Sequence, residues 1–167
     1  MIKPLFQKII VAVNGSEQSI HAAMYGILMA KQYKCELKAI YVVDTSTLKQ
    51  LTMSRIFLEE ESLHYEQRLC DDGNRYLKYL TNLAKEKEVK MQTELKKGSV
   101  WSEVIKTADD FGANLILLGG KELHGELVQN SIRHDKISSI NAEIIGSALC
   151  NVLVVREPNI EKLFKIA

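Results

Sequence analysis

Apolar runs and amphipathic stretches alternate along this chain, the signature of a parallel sheet covered by helices. The run from Lys8 to Val13 predicts a first strand, ending in Asn14-Gly15-Ser16. Ser16 is a good N-cap with Glu17 in the first turn, and Ile20, Ala23, Met24, Ile27 and Ala30 follow at helical spacing. A second strand is predicted over about Glu36 to Val43. Thr45 to Ser54 is polar and poorly patterned and reads as a loop. A long helix is expected from about Arg55 to Glu88, with Leu69, Tyr76, Leu77, Leu80, Leu83 and Ala84 on one face. Gly73 interrupts it at a cost of about 1 kcal/mol relative to alanine.

The third strand is predicted over Lys90 to Lys96. Ser99 caps the next helix, which turns Val100, Val104, Ile105, Ala108 and Phe111 inward and stops at Gly112. Trp101, in its first turn, is expected to cover a core edge. Leu115 to Leu118 is a continuous apolar run suited to a central parallel strand, and it ends at Gly119-Gly120. A polar loop to about Lys136, a helix to Leu149 and a strand over Val152 to Val155 complete the pattern.

These elements predict an α/β domain over residues 1–157. Its core is a doubly wound five-stranded parallel sheet, strand order 3-2-1-4-5, with helices on both faces. Residues 158–167 form an extension. If it is helical, Ile160, Leu163, Phe164 and Ala167 share one face, to pack on the chain's own surface or to reach a partner subunit. Ligands of such sheets bind outside the carboxyl ends of strands where the order reverses. The positions to inspect are therefore Asn14, Val42 to Asp44, and Gly119-Gly120.

With 167 residues the chain is long enough to bury a core without staples. A net charge of +1 offers no field for nucleic acid or an anionic membrane. No apolar run approaches a bilayer span, and the opening Met1-Ile2-Lys3-Pro4-Leu5-Phe6 is unlike a signal peptide, so a cytoplasmic location is expected. Cys35, Cys70 and Cys150 are widely spaced and lack zinc-site spacing, which favours buried free thiols. His124 and His134, with Glu122, Glu126 and Asp135 nearby, read as solvated loop groups rather than metal ligands. His21 and His64 read as isolated. No metal site is expected. No GxSxG elbow, HExxH or GxxxxGK[ST] is present, so the expectation is a protein that is not an enzyme.

Three segments resemble the universal stress protein family. Lys8 to Asp44, which begins KIIVAVNGSEQS, is similar to its opening, where a strand of the type ILVAVDGS leads, with Asn14 here in place of the usual Asp. GSVWSEVIKTADDFGANLILLGG (Gly98 to Gly120) resembles its third helix and fourth strand. The stretch from Ser138-Ser139-Ile140-Asn141 to Val155 resembles its closing helix and strand. The resemblance implies an adenine-nucleotide site, for ATP or AMP. Ala12, Val13, Asn14 and Val42 would lie around adenosine, and Gly119, Gly120, Ser138, Ser139, Ile140 and Asn141 around phosphate. Asn14 either takes part in that site or only makes the strand-to-helix turn.

Against the family's phosphate loop, Gly-x2-Gly-x9-Gly-(Ser/Thr), Gly119 takes the first glycine position, Glu122 the second and Ser138 the third, with Ser139 as the hydroxyl. The span from Gly119 to Ser138 is longer than the pattern. A carboxylate at Glu122 about 4 Å from a phosphate would cost roughly 4 kcal/mol at an effective dielectric near 20. Gly125 could replace the missing glycine, with Lys121, Arg133 or Lys136 neutralising phosphates. Two readings follow. One is a non-enzymatic regulatory module that acts through an unknown protein partner, its nucleotide site altered. The other is an ATP- or AMP-binding stress sensor, with slow hydrolysis as an option. The resemblance also implies a homodimer through the last strand, Asn151, Val152, Leu153, Val154 and Val155, whose apolar edge calls for cover.

Overall fold

Alternation along the first strand decides which helices cover which face of the sheet. The computed structural model describes residues 1–120 and 138–167. Among them are strands β1 (Lys8–Val13), β2 (Glu36–Asp44), β3 (Met91–Gly98), β4 (Leu115–Gly119) and β5 (Asn151–Val155). The helices are α1 (Glu17–Tyr33), α2 (Thr45–Met53), α3 (Glu59–Glu86), α4 (Val100–Phe111), α5 (Ser139–Ser147) and α6 (Ile160–Ile166). The strands form a parallel sheet in the order β3-β2-β1-β4-β5, the predicted architecture.

Ile9, Val11 and Val13 of β1 face the core built with α1, α3 and α6, through Ile27, Leu80, Ile160 and Phe164 among others. Ile10, with Ile40, Ile116 and Leu118, faces the second core, built with Val104 and Ala108 of α4 and Ile144 of α5. Central strands buried on both faces must read as unbroken apolar runs, and all of Leu115 to Leu118 is buried. Gly26 lets α1 lie close on the sheet, since a Cβ there would meet Leu117 Cδ1 at 3.0 Å.

Several boundaries differ from those predicted. Thr45 to Met53 is a helix, not a loop. Its polar sequence hides the cap: Asp44 Oδ1 accepts from the Thr47 amide at 2.9 Å, and Oδ2 accepts from the Thr47 hydroxyl at 2.7 Å. The long helix begins at Glu59 rather than Arg55, because Arg55 sits in the left-handed region (φ 57°) and ends the α2 segment. Strand β3 starts one residue later than predicted and runs on to Gly98, whose φ of 146° turns the chain into α4. Ser99 holds the cap position of α4 without a side-chain cap bond. Trp101 is exposed, and its neighbour Val100 packs against the second core instead.

The extension folds back on its own chain. Ile160 and Phe164 of α6 are buried in the α1 side of the core, and Lys87 lies over the Phe164 ring (4.8 Å) while donating to the Ala167 carbonyl (3.1 Å). Cys35, Cys70 and Cys150 are free thiols. Burial pushes the Cys35 and Cys150 thiols above their ordinary pKa. No helix among the described residues is long and apolar enough to cross a membrane.

Candidate functional site

The carboxyl ends of β1, β2 and β4 open into a cavity of about 470 Å³ on the α4/α5 side of the sheet. It lies where the strand order reverses between β1 and β4, so the sheet topology alone creates the crevice. Its volume is within the range of small-molecule and cofactor sites.

One wall is apolar: Ile40 and Val42 of β2, Val100 and Val104 of α4, Leu118 of β4, and Ile144 of α5. Strand parity explains this wall. Residues 40 and 42 point to the same face, as Ile10 and Ala12 do on the neighbouring β1. The opposite rim is polar, with Asn14, Ser16, Gln18 and Ser19 from the β1–α1 corner and Ser138 and Asn141 from the start of α5.

The β1–α1 corner is held by its own hydrogen bonds. Asn14 Oδ1 accepts from the Ser16 amide at 3.0 Å, a turn stabilised by the side chain itself. Ser19 is buried; its hydroxyl accepts from the Asn14 amide (3.2 Å) and donates to the Ser16 carbonyl (2.8 Å). Ser16 Oγ in turn accepts from the Ser19 amide at 3.2 Å, capping α1. Gly15 takes φ 84°, which only glycine adopts without strain, beneath the ring of Tyr76. Asn14 therefore makes the turn with its side-chain oxygen, and its side-chain nitrogen, Nδ2, has no hydrogen-bond partner among the described residues.

The glycines at the end of β4 have different tasks. A Cβ on Gly119 would stand 2.6 Å from the backbone carbon of Gln18, so this glycine lets the first turn of α1 touch the strand. The amide of Gly120 donates to the Val155 carbonyl at 3.2 Å, a bond that extends the β4–β5 ladder and leaves that N–H unavailable to a ligand. Ser138 caps α5, its hydroxyl accepting from the Asn141 amide at 3.1 Å. Asn141 Nδ2 donates to the Gly119 carbonyl at 3.0 Å and ties α5 to β4. Two helix starts, α1 and α5, thus border one cavity, and first-turn N–H groups there lack intrahelical acceptors. Such ends favour an anion.

Of the residues named from the sequence, Ala12, Val13, Asn14, Val42, Gly119, Gly120, Ser138, Ile140 and Asn141 line this cavity, and Ser139 does not. The sequence reading missed Ser16, Gln18 and Ser19 and the whole apolar wall beyond Val42. The wall had a signal in strand parity, and the serines had one in the Ser16–Ser19 cap spacing. Lys121, Glu122, His124, Gly125, Glu126, Arg133, His134, Asp135 and Lys136 lie outside the described residues.

A second hollow, about 330 Å³, opens near the amino ends of the strands, among Lys8, Glu36, Lys38, Gln92, Glu94, Thr107, Asp110 and Phe111. Its charges are partly satisfied internally, since Lys38 pairs with Glu94 at 3.2 Å and lies over the Phe111 ring at 4.7 Å. It is remote from the switch point, and we assign it no ligand. His21, read from sequence as isolated, is not: its Nε2 lies 3.2 Å from Glu161 and 3.8 Å from Glu17. The fold brings α6 to it from the far end of the chain.

The universal stress protein family model matches residues 5–156. Universal stress protein MJ0531 of Methanocaldococcus jannaschii is 31% identical over 157 residues, which cover 94% of this chain and 86% of that one. The chain belongs to the universal stress protein family. Universal stress protein UspA from Lactobacillus plantarum shares the fold, with a TM-score of 0.72 at 19% identity over 92% of this chain and 100% of that one. A family protein from Arabidopsis thaliana, solved with AMP bound, gives a TM-score of 0.62 at 14% identity over 92% and 94% of the two chains.

Proposed function

We propose that this chain is a non-enzymatic regulatory module that binds an adenine nucleotide, AMP or ATP, in the cavity at the carboxyl ends of β1, β2 and β4. One observation carries the reading: an apolar wall in a cavity of about 470 Å³ adjoins two helix starts. Ile40, Val42, Val104, Leu118 and Ile144 would sandwich the base. In this reading the Asn14 side-chain amide and the side chain of Gln18 would face the ribose, and the start of α5 the phosphate. AMP in the Arabidopsis relative supports the ligand class. The cavity rim offers hydroxyls and amides but no histidine or carboxylate among the described residues, which favours binding over catalysis. Free thiols fit a cytoplasmic setting.

A second reading rests on the Gly120 amide, whose N–H is already given to the Val155 carbonyl. With fewer donors for phosphate, the module would act through protein contacts alone. In either reading the chain pairs with a second copy through β5. The outer position of that strand supports this, with Leu153 at 36% and Leu149 at 90% exposure leaving apolar surface beside an unpaired edge.

Extraction of small molecules from purified protein, followed by calorimetric titration with AMP and ATP, separates the two. Co-purified nucleotide, or a dissociation constant in the micromolar range, supports the sensor. An empty protein with no thermal shift in millimolar AMP or ATP overturns it and leaves the protein-contact reading.

A further inference from the structure

Glu17 and His21 sit one helical turn apart on α1, and Glu161 reaches them from α6. One donor atom from each lies within 4.8 Å of the other two, with His21 Nε2 at 3.2 Å from Glu161 and 3.8 Å from Glu17. We propose that these three side chains form a divalent-cation site, suited to Zn2+, that clamps the C-terminal helix to α1.

The distances fit. Zinc binds imidazole nitrogen and carboxylate oxygen at about 2.0–2.2 Å, so neighbouring donors of a tetrahedral site stand roughly 3.3–3.6 Å apart. The two imidazole–carboxylate separations, 3.2 and 3.8 Å, bracket that value. The charges also call for a cation. A neutral imidazole can donate from Nε2 to one carboxylate only. Among the described residues, neither Glu17 nor Glu161 has a lysine or arginine within 4.0 Å. Two carboxylates therefore share a single donor. The imidazole is half-buried between the helices, at 26% exposure, so its ring is held in place while both carboxylates stay open to incoming metal. An i,i+4 pair supplying two ligands from one helix face is a recurrent way to seat zinc. The exposure of the glutamates leaves the fourth position to water.

The site lies on the α1/α6 side of the sheet and shares no residue with the nucleotide cavity. Its test is accordingly independent of the nucleotide reading. Tag-free, chelator-treated full-length protein is titrated with Zn2+ by calorimetry and followed by thermal melting. The expected result is one zinc per chain, and a melting temperature raised by roughly 5 °C or more when zinc is in large excess over its dissociation constant. His21→Ala and Glu161→Gln should each weaken binding at least tenfold, by order of magnitude for a lost ligand. His21 is half-buried and Glu161 exposed, so each variant is judged against its own metal-free melting point. The double variant His124→Ala, His134→Ala should retain the zinc shift. Co2+ should give a visible absorption band that His21→Ala abolishes. Zinc binding unchanged in His21→Ala and Glu161→Gln, binding lost in the His124/His134 variant, or no shift at submillimolar zinc would each overturn the site.

Discussion

Asn141 and Gly119 are joined across the mouth of the cavity: the Asn141 side-chain amide donates to the Gly119 carbonyl at 3.0 Å. This bond fixes the start of α5 against the end of β4, and so sets the distance between the apolar slot and the helix end proposed to face phosphate. Asn141→Ala should therefore cost about 0.5–1.5 kcal/mol of stability, the usual net value of one such bond. It should also weaken AMP binding. Denaturant melts and calorimetry measure the two effects, and unchanged values for both would remove Asn141 from this role.

Glycines in this chain should respond to alanine in opposite ways. Gly119→Ala drives a Cβ into the backbone of Gln18, an immovable neighbour, and should destabilise by about 1–3 kcal/mol. Gly146, near the end of α5, has nothing within 4 Å of its added methyl. Gly146→Ala should stabilise by about 0.4–1 kcal/mol, because it removes freedom from the unfolded chain and favours helix. Thermal melts of the two variants check both signs.

Glu94 should give the stability curve an acidic limb. Its carboxyl is held below the ordinary pKa chiefly by a hydrogen bond from Lys96, with Lys38 adding to it and burial opposing. A carboxyl lowered on folding stabilises above its unfolded pKa, and that contribution fades as pH falls through the folded value. Glu94→Gln should thus lower stability at pH 7 by less than about 1 kcal/mol, given the partial exposure of the pair. Below the folded pKa, variant and parent should converge. A constant difference across the acid range would contradict this.

Val154 is half-buried on the outer strand. Val154→Asp should yield monomers or insoluble protein if β5 pairs with its counterpart in a second copy, as measured by light scattering after size exclusion. A soluble dimer of unchanged stability would rule out that interface.

The sheet was legible because its information is local. Ile9 to Val13 and Leu115 to Leu118 are apolar throughout, and Ser16 and Gly112 mark helix ends by chemistry that needs no partner. Helix α2 was hidden because Thr45, Ser46, Thr47 and Thr52 are weak helix formers, and its N-cap, Asp44, belongs to the preceding strand. The apolar wall of the cavity was obscured for a different reason. Ile40, Val104, Leu118 and Ile144 look like any core residues until the ends of three strands are placed side by side. Glu161 and His21 stand far apart in sequence, and no spacing rule links them.

The contact between residue 119 and the first turn of α1 constrains any redesign of this protein. No substituent fits at that lip, so the cavity's lining has to be varied elsewhere, at Asn14, Gln18, Val42 or Ser138. An engineer holding position 119 constant keeps that contact, whereas exchanges at Asn14 or Ser138 also give up a turn bond or a helix cap.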